Sequence, residues 1–175
     1  NILNMYRIDK SKNNITKLQK CRFSDLGFKE RENLQEWIAK NPDVLGEDLL
    51  IIQKEFAGFN DTKERLDLLA LDSDGGLVII ENKLDDTGRD VVWQSLKYTS
   101  YCSTLTTNQI INIYQKHLND TGIKDDAKSL ILEFLDRDEE DLLLNTKDQD
   151  QRIILVANKY RKEVTSTVLW LLDHQ

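Results

Sequence analysis

Asp67, Glu81 and Lys83 stand on two short apolar runs, RLDLLALD (65 to 72) and LVIIENKL (77 to 84), joined by Ser73, Asp74, Gly75 and Gly76. Two carboxylates and one ammonium are the minimum set for metal-assisted hydrolysis of a phosphodiester bond. Whether they form a set depends on whether the chain brings them together.

Two runs rich in Leu, Val and Ile around a glycine turn predict a β-hairpin. With a three-residue loop and Gly75 in the left-handed region, Asp72 falls opposite Gly76, Leu71 opposite Leu77, Leu69 opposite Ile79 and Asp67 opposite Glu81. Side chains alternate along a strand, so Arg65, Asp67, Glu81 and Lys83 take one face, while Leu66, Leu68, Val78, Ile80 and Asn82 take the other. A four-residue loop would slip the register by one and turn Glu81 away. Like charges placed opposite each other destabilise a sheet. A divalent cation held by oxygen ligands is the natural compensation.

The elements that must position this pair can be read along the chain. MYRIDKSKNNITKLQ predicts a small hairpin with Asn13 and Asn14 near its turn, and a connector runs on through Gly27. Residues 29 to 40 form a helix with Leu34, Trp37 and Ile38 as its apolar stripe, ending before Pro42. Glu30 shares that inward face and reads in two ways, as a first-turn acid favoured by the helix dipole or as a neighbour of the metal site. LLIIQKEF (49 to 56) is a strand that precedes the hairpin in the sheet, with Glu55 as an edge charge or a support for the site. Residues 89 to 103 form a helix with Val91, Gln94, Tyr98 and Tyr101 on one stripe. Helices over 107 to 119 and 125 to 137, a strand over 151 to 158 and a helix over 161 to 173 follow, the last with Val164, Val168, Leu169 and Leu172 inward. The chain ends on this apolar helix with no closing element, which suggests a further segment.

The frame is one domain's worth of chain, 175 residues, charged but with apolar residues clustered in short runs. The expected organisation is an N-terminal hairpin and connector over 1 to 27 and the main domain over 28 to 175. No apolar run approaches a membrane span, and the polar start NILNMYRIDK lacks the apolar core of a signal peptide, so a cytoplasmic setting is expected. Cys21 and Cys102 are far apart and outside any Cys-x-x-Cys spacing, and read as reduced thiols.

The net charge of -7 seats itself in one place, because residues 120 to 150 hold eleven acids against four bases. The other 144 residues carry 20 acids and 20 bases. That segment reads as a solvated helix face and loop in preference to a DNA-mimicking tail. A neutral body does not exclude a phosphate substrate, though its overall charge gives no steering toward one.

Other chemistries lack their parts. The two histidines, His117 and His174, sit on a polar helix end and beside the terminus, and no Gly-x-Ser-x-Gly elbow, phosphate-cradling loop or dinucleotide fingerprint occurs. Serine hydrolase, NTPase and Rossmann oxidoreductase readings are set aside.

An Asp in an apolar strand, a glycine hairpin, Glu-x-Lys in the next strand and a helix with Gln and Tyr four apart together resemble the PD-(D/E)XK nuclease superfamily. More narrowly, ERLDLLALDSDGGLVIIENK followed by WQSLKY resembles the branch of NucS/EndoMS mismatch endonucleases and RecB-type nuclease domains. The upstream ERENLQEWIAKNPDVLGEDLLIIQKEF is similar to the N-terminal segment of bacterial proteins of that group. The resemblance covers about residues 28 to 105. It implies an α/β fold with a restriction-endonuclease-like core, a mixed central β-sheet flanked by helices. It further implies that Asp67, Glu81 and the backbone carbonyl of Asn82, with Glu30 completing the acidic cluster, hold Mg2+ or Mn2+. Lys83 would orient or help deprotonate the attacking water, Gln94 would fix the substrate backbone or Lys83, and Arg65 and Tyr98 would touch phosphate or sugar. Asn82 departs from the pattern, since an apolar residue is usual there; buried, it needs hydrogen-bond partners.

Three functions follow. The first is a divalent-metal-dependent endonuclease acting on DNA in repair, restriction or phage defence, alone, as a homodimer or with a partner domain. The second is a nuclease-fold module that binds nucleic acid or a protein without cutting, the acidic segment being its docking surface. The third is a structural α/β domain in which Arg65, Asp67, Glu81 and Lys83 form an ion-pair network. Trp93 and Tyr101 could stack on bases, but aromatic residues on a packed helix read first as core.

Overall fold

The computed structural model describes residues 4–57 and 65–174. Six strands and five α-helices occur among them. β1 (Tyr6–Asp9) and β2 (Asn14–Lys17) make the expected small hairpin, an antiparallel pair with exposed side chains. Residues 1 to 3 of that expected N-terminal unit lie outside the described residues. The main sheet has the order β3 (Leu49–Phe56), β4 (Leu66–Asp72), β5 (Leu77–Asp86), β6 (Arg152–Lys159). The first three strands are antiparallel, and β6 runs parallel to β5. A parallel neighbour demands a long crossover, here α2 (Val91–Cys102), α3 (Thr107–Asp120) and α4 (Ala127–Leu135). α5 (Lys162–Leu172) follows β6. The fold class is therefore the one expected, a mixed α/β sheet flanked by helices.

Both faces of the sheet are covered, which is why β4 and β5 are continuous apolar runs instead of alternating ones. Leu69, Leu71, Leu77 and Ile79 pack with Tyr98 and Cys102 of α2, Ile110 and Tyr114 of α3 and Ile131 of α4. Leu68, Ala70, Val78 and Ile80 pack on the other face with Leu34 and Ile38. Burial pushes the Cys102 thiol up to about 12, so it stays an inert thiol.

The turn between β4 and β5 has the three-residue form. Gly75 adopts φ 83°, its N–H donates to the Asp72 carbonyl at 3.0 Å, and the Asp72 N–H donates to the Gly76 carbonyl at 3.0 Å. The Asp72 carboxylate also accepts from the N–H groups of Asp74 and Gly76. Leu71 accordingly faces Leu77 and Leu69 faces Ile79, which is the register that sets Asp67 against Glu81.

Three expectations are corrected. The helix over 29 to 40 is two pieces, a π-helical turn Glu30–Gln35 continuing into α1 (Glu36–Lys40). The wider turn carries Gln35 inward beside Leu34, while Trp37 moves to the surface against Phe23 and Phe28. On α2, Val91, Ser95, Tyr98 and Cys102 form the buried stripe, and Tyr101 lies outside it. On α5, Val164 is buried, but Leu169 and Leu172 are exposed. The acids of 120 to 150 do face solvent, around the buried Ala127, Ile131 and Leu135 of α4.

Asn82 is fully buried, and neither its amide oxygen nor its nitrogen has a hydrogen-bond partner among the described residues. It lies on the face of Leu68 and Ile80, away from Glu81. An unmatched buried amide costs about 1–3 kcal/mol. Asn82→Leu, close in shape, is expected to raise the stability read by chemical denaturation by about that amount, with unchanged secondary structure by circular dichroism. A loss of stability would mean that the amide is satisfied.

Candidate active site at the open end of the hairpin

The pairing of β4 with β5 runs from Leu71–Leu77 to Leu68–Ile80. One residue further on, the Asn82 N–H donates to the Asp67 carboxylate at 2.8 Å. A side chain therefore takes a backbone donor where a strand carbonyl would be expected, and the two acids sit where the ladder opens. Asp67 and Glu81 are buried, Glu81 with only 1% of its surface exposed. The Oε2 atom of Glu81 is buried with no hydrogen-bond partner among the described residues.

Lys83 is the cation of this group. Its Nζ lies 3.3 Å from Glu81 Oε1 and 3.8 Å from Glu30 Oε1. The other oxygen of Glu30 accepts from the Leu84 N–H at 2.8 Å, so the π-helical turn is tied to β5 by the same residue that faces Lys83. Glu30 thus stands in the first turn of its helical segment and also beside Lys83, a position that suits both readings of it.

The electrostatics follow from burial. Desolvation pushes Asp67 up to about 6, against the pull of the Asn82 N–H and Lys83. Desolvation, and then the neighbouring Asp67, pushes Glu81 up to about 7, again against Lys83. For Lys83, burial acts downward, but Glu81, Glu30 and Asp67 outweigh it and hold the ammonium above its ordinary value. The site thus keeps a firmly protonated lysine beside two acids that resist ionising. Groups perturbed in this way cluster at functional sites, and structural ion-pair networks perturb them as well.

The remaining residues singled out from sequence are placed differently. Gln94 donates its amide to the Tyr98 hydroxyl at 3.0 Å, one turn along the same helix, and makes no hydrogen bond to Lys83. Tyr98 is fully buried among Cys102 and the sheet residues. A contact between Tyr98 and substrate is therefore corrected: its ring is core, and its hydroxyl positions Gln94. Arg65 is exposed just ahead of β4 and is not drawn into the cluster.

Sequence reasoning missed Gln35, which is buried and donates to Glu55 at 3.0 Å. Glu55 also meets Arg31 at 3.4 Å, and its charge adds to the upward pressure on Asp67. Glu55 holds a left-handed backbone, φ 51°, a conformation that costs a non-glycine residue about 1–3 kcal/mol and concentrates at functional sites. The available signal was positional, since Glu55 falls opposite Asp67 in a register that pairs Lys54 with Leu68 and Phe56 with Leu66.

Oxygen donors suit a hard cation such as Mg2+ or Mn2+, and the partnerless Oε2 of Glu81 is an open acceptor for one. Among the described residues no group of three or more His, Cys, Asp or Glu side chains is arranged to hold a metal ion. Two carboxylates are nevertheless enough for Mg2+, which commonly keeps several waters and takes one or two protein carboxylates.

No family model matches this chain, and no curated protein matches it. Among solved structures it is similar to a chain of the "EndoMS-dsDNA2 complex" at 15% identity and a TM-score of 0.34, covering 84% of this chain and 53% of that one. The chain thus spans about half the length of that structure's chain. No described helix is long and apolar enough to cross a membrane.

Proposed function

We propose that this chain is a divalent-metal-dependent endonuclease that hydrolyses phosphodiester bonds in DNA, in the manner of the PD-(D/E)XK nucleases and their NucS/EndoMS and RecB-type branch. Residues 28 to 175 form the nuclease unit, with 1 to 27 as its appendage, and repair, restriction or phage defence in a prokaryotic cytoplasm is the setting. The observation that carries the reading is the Asp67–Glu81 pair, two desolvated carboxylates set side by side where β4 and β5 part, with Lys83 against them. Folding gains nothing from such a pair, because each acid raises the cost of ionising the other.

Asp67, Glu81 and the Asn82 carbonyl are the groups that would hold Mg2+ or Mn2+, with Glu30 at the margin. A cation bound there supplies a Lewis acid for the scissile phosphate. The neighbouring acids favour the ammonium form of Lys83, which would orient the attacking water or help deprotonate it and offset charge gathering on phosphate oxygens. Glu30 and Glu81 fix its direction. Gln94, anchored by Tyr98, presents its amide oxygen and remaining N–H from the start of α2, and Arg65 offers an exposed cation for a flanking phosphate.

The second reading is a module on this fold that binds nucleic acid or a protein without cutting, with the exposed acidic segment over 120 to 150 as its docking surface. The test is incubation with supercoiled, linear, single-stranded and mismatched DNA in Mg2+, Mn2+ or EDTA. Lys83→Met, which keeps the aliphatic stem, serves as the control. Cleavage that needs metal and falls by about 100-fold or more in the control is expected. DNA binding without cleavage in any metal would transfer the function to the second reading.

A further inference from the structure

Charge is uneven outside the acidic segment as well. Residues 5 to 22 hold six bases and one acid, whereas all other residues together hold 18 bases and 30 acids. The six are Arg7, Lys10, Lys12, Lys17, Lys20 and Arg22, all exposed, and none forms an ion pair among the described residues. The one acid, Asp9, is engaged in the turn of the hairpin, where its Oδ1 accepts from the N–H and hydroxyl of Ser11 and from the N–H of Lys12. That turn, with Asn13 at φ 46°, sets Lys10 and Lys12 at the tip. In the register of β1 with β2, Ile8 faces Ile15 and Tyr6 faces Lys17, and alternation puts all four on one side of the ribbon. Ile8 is 72% exposed and Ile15 61% exposed, so this side stays open to solvent. The arm is rooted beside the candidate site. Ser24 donates its hydroxyl to Asp85 Oδ1 at 3.1 Å, two residues beyond Lys83 on β5, and Phe23 packs edge-on against Trp37. Arg22 therefore leaves the body near the strand end where Lys83 meets Glu81 and Glu30.

A two-stranded hairpin is at best marginally stable alone in water, so an open apolar side on such a ribbon suits completion by a partner. We infer that this arm, β1 and β2 with the connector through Arg22, docks in the major groove of duplex DNA beside the acidic pair, its cations on the phosphates and Ile8 and Ile15 against base edges. The occupant follows from the chemistry. Six cations that the chain's own acids leave unpaired match an outside polyanion. A two-stranded ribbon fits the major groove of B-form DNA, about 12 Å wide, where apolar side chains meet thymine methyl groups. In an RNA duplex that groove is too narrow and deep for side chains to read. A single strand offers phosphates but no groove for the apolar side. The acidic segment of a second copy has complementary charge too, but the arm is rooted where the substrate of the proposed reaction must lie, and this favours DNA.

The inference rests on the reading of this chain as a protein that acts on DNA and adds where the duplex is held, but it is tested without catalysis. Labelled duplex DNA, duplex RNA and single-stranded DNA of one sequence are titrated with the full chain in EDTA by fluorescence anisotropy. Duplex DNA is expected to bind most tightly. Lys10→Gln, Lys12→Gln and Lys17→Gln, combined in one variant, are expected to weaken duplex binding by about 10-fold or more near physiological salt and to lower the slope of log affinity against log salt by about three units. A second measurement needs no substitution in the hairpin. Cys21 is an exposed thiol next to Arg22 and Cys102 is buried, so a maleimide photo-crosslinker marks Cys21 and is expected to join the chain to duplex DNA on irradiation. Unchanged affinity and slope in the triple variant, or no crosslink at saturating duplex, would overturn the inference. So would tighter binding of single-stranded DNA or of duplex RNA. A triple variant that sediments as a smaller species and binds DNA as before would overturn it too, making the arm a contact between copies. Cleavage by a triple variant with unchanged binding defeats this inference and leaves the nuclease; a duplex that crosslinks to Cys21 and is cut in no metal does the reverse.

Discussion

Glu81→Gln is expected to abolish metal-dependent cleavage, by about 1000-fold or more, and at the same time to make the metal-free protein more stable at pH 8. The two effects have one cause. Among the described residues Glu81 is buried with Oε2 unmatched, faces the carboxylate of Asp67, and has Lys83 as its counter-charge at 3.3 Å. Ionised, it is held in place against desolvation and repulsion. A neutral amide of the same shape removes both costs and can donate to Asp67, a gain of about 1–3 kcal/mol, or several degrees in melting temperature. The loss of activity comes from the same substitution, because an amide is a poor ligand for a hard cation. Thermal melts in EDTA at pH 8, set beside cleavage rates in Mn2+, read both. Lower stability together with lost activity would instead mark Glu81 as one member of a stabilising ion-pair network, the third of the functions drawn from sequence.

The hairpin and its acids were legible from sequence because short-range rules decide them. A glycine at the left-handed position sets a three-residue turn, the turn sets the register, and the period of two does the rest; hence Asp67, Glu81 and Lys83 fall together. The strand Leu49–Phe56 and the helices of the crossover were legible for a similar reason, being continuous apolar runs or stripes. What escaped depended on long-range packing. A π-helical turn at Glu30–Gln35 shifts every later side chain around the helix, so Gln35 enters the interior and Trp37 leaves it. The stripe of α2 passes through Ser95, whose hydroxyl donates to the Val91 carbonyl and so hides in the core, and a reading based on apolar residues put Tyr101 there instead. The strain at Glu55 has no sequence signal beyond its position opposite Asp67.

The metal-free protein is expected to lose stability as pH rises from about 5 to about 8, by about 2–4 kcal/mol in all, and to regain it when Mn2+ is added. Asp67 and Glu81 have folded values of about 6 and about 7, above the ordinary 3.8 and 4.5. Between those limits the folded chain keeps protons that the unfolded chain has released, so raising the pH favours unfolding. Lys83 faces the pair and limits the effect, and Glu30 and Glu55 add to it. His117 acts in the other direction. Burial holds it below its usual value, so the folded chain gains relative stability as pH climbs toward 6.5, which trims the loss at the acid end of the window. Carboxylates held low by hydrogen bonds or a neighbouring cation, such as Asp126 and Glu47, lose their contribution only in more acidic solution and do not blur the measurement. Urea titrations in EDTA across this range give the slope directly. In Glu81→Gln the slope should flatten to the share carried by Asp67. A metal-free stability that rises steadily to pH 8 would show that the two acids ionise readily and that the pair is not held against its own charge. In that case the main physical reason for a cation at this site would be gone.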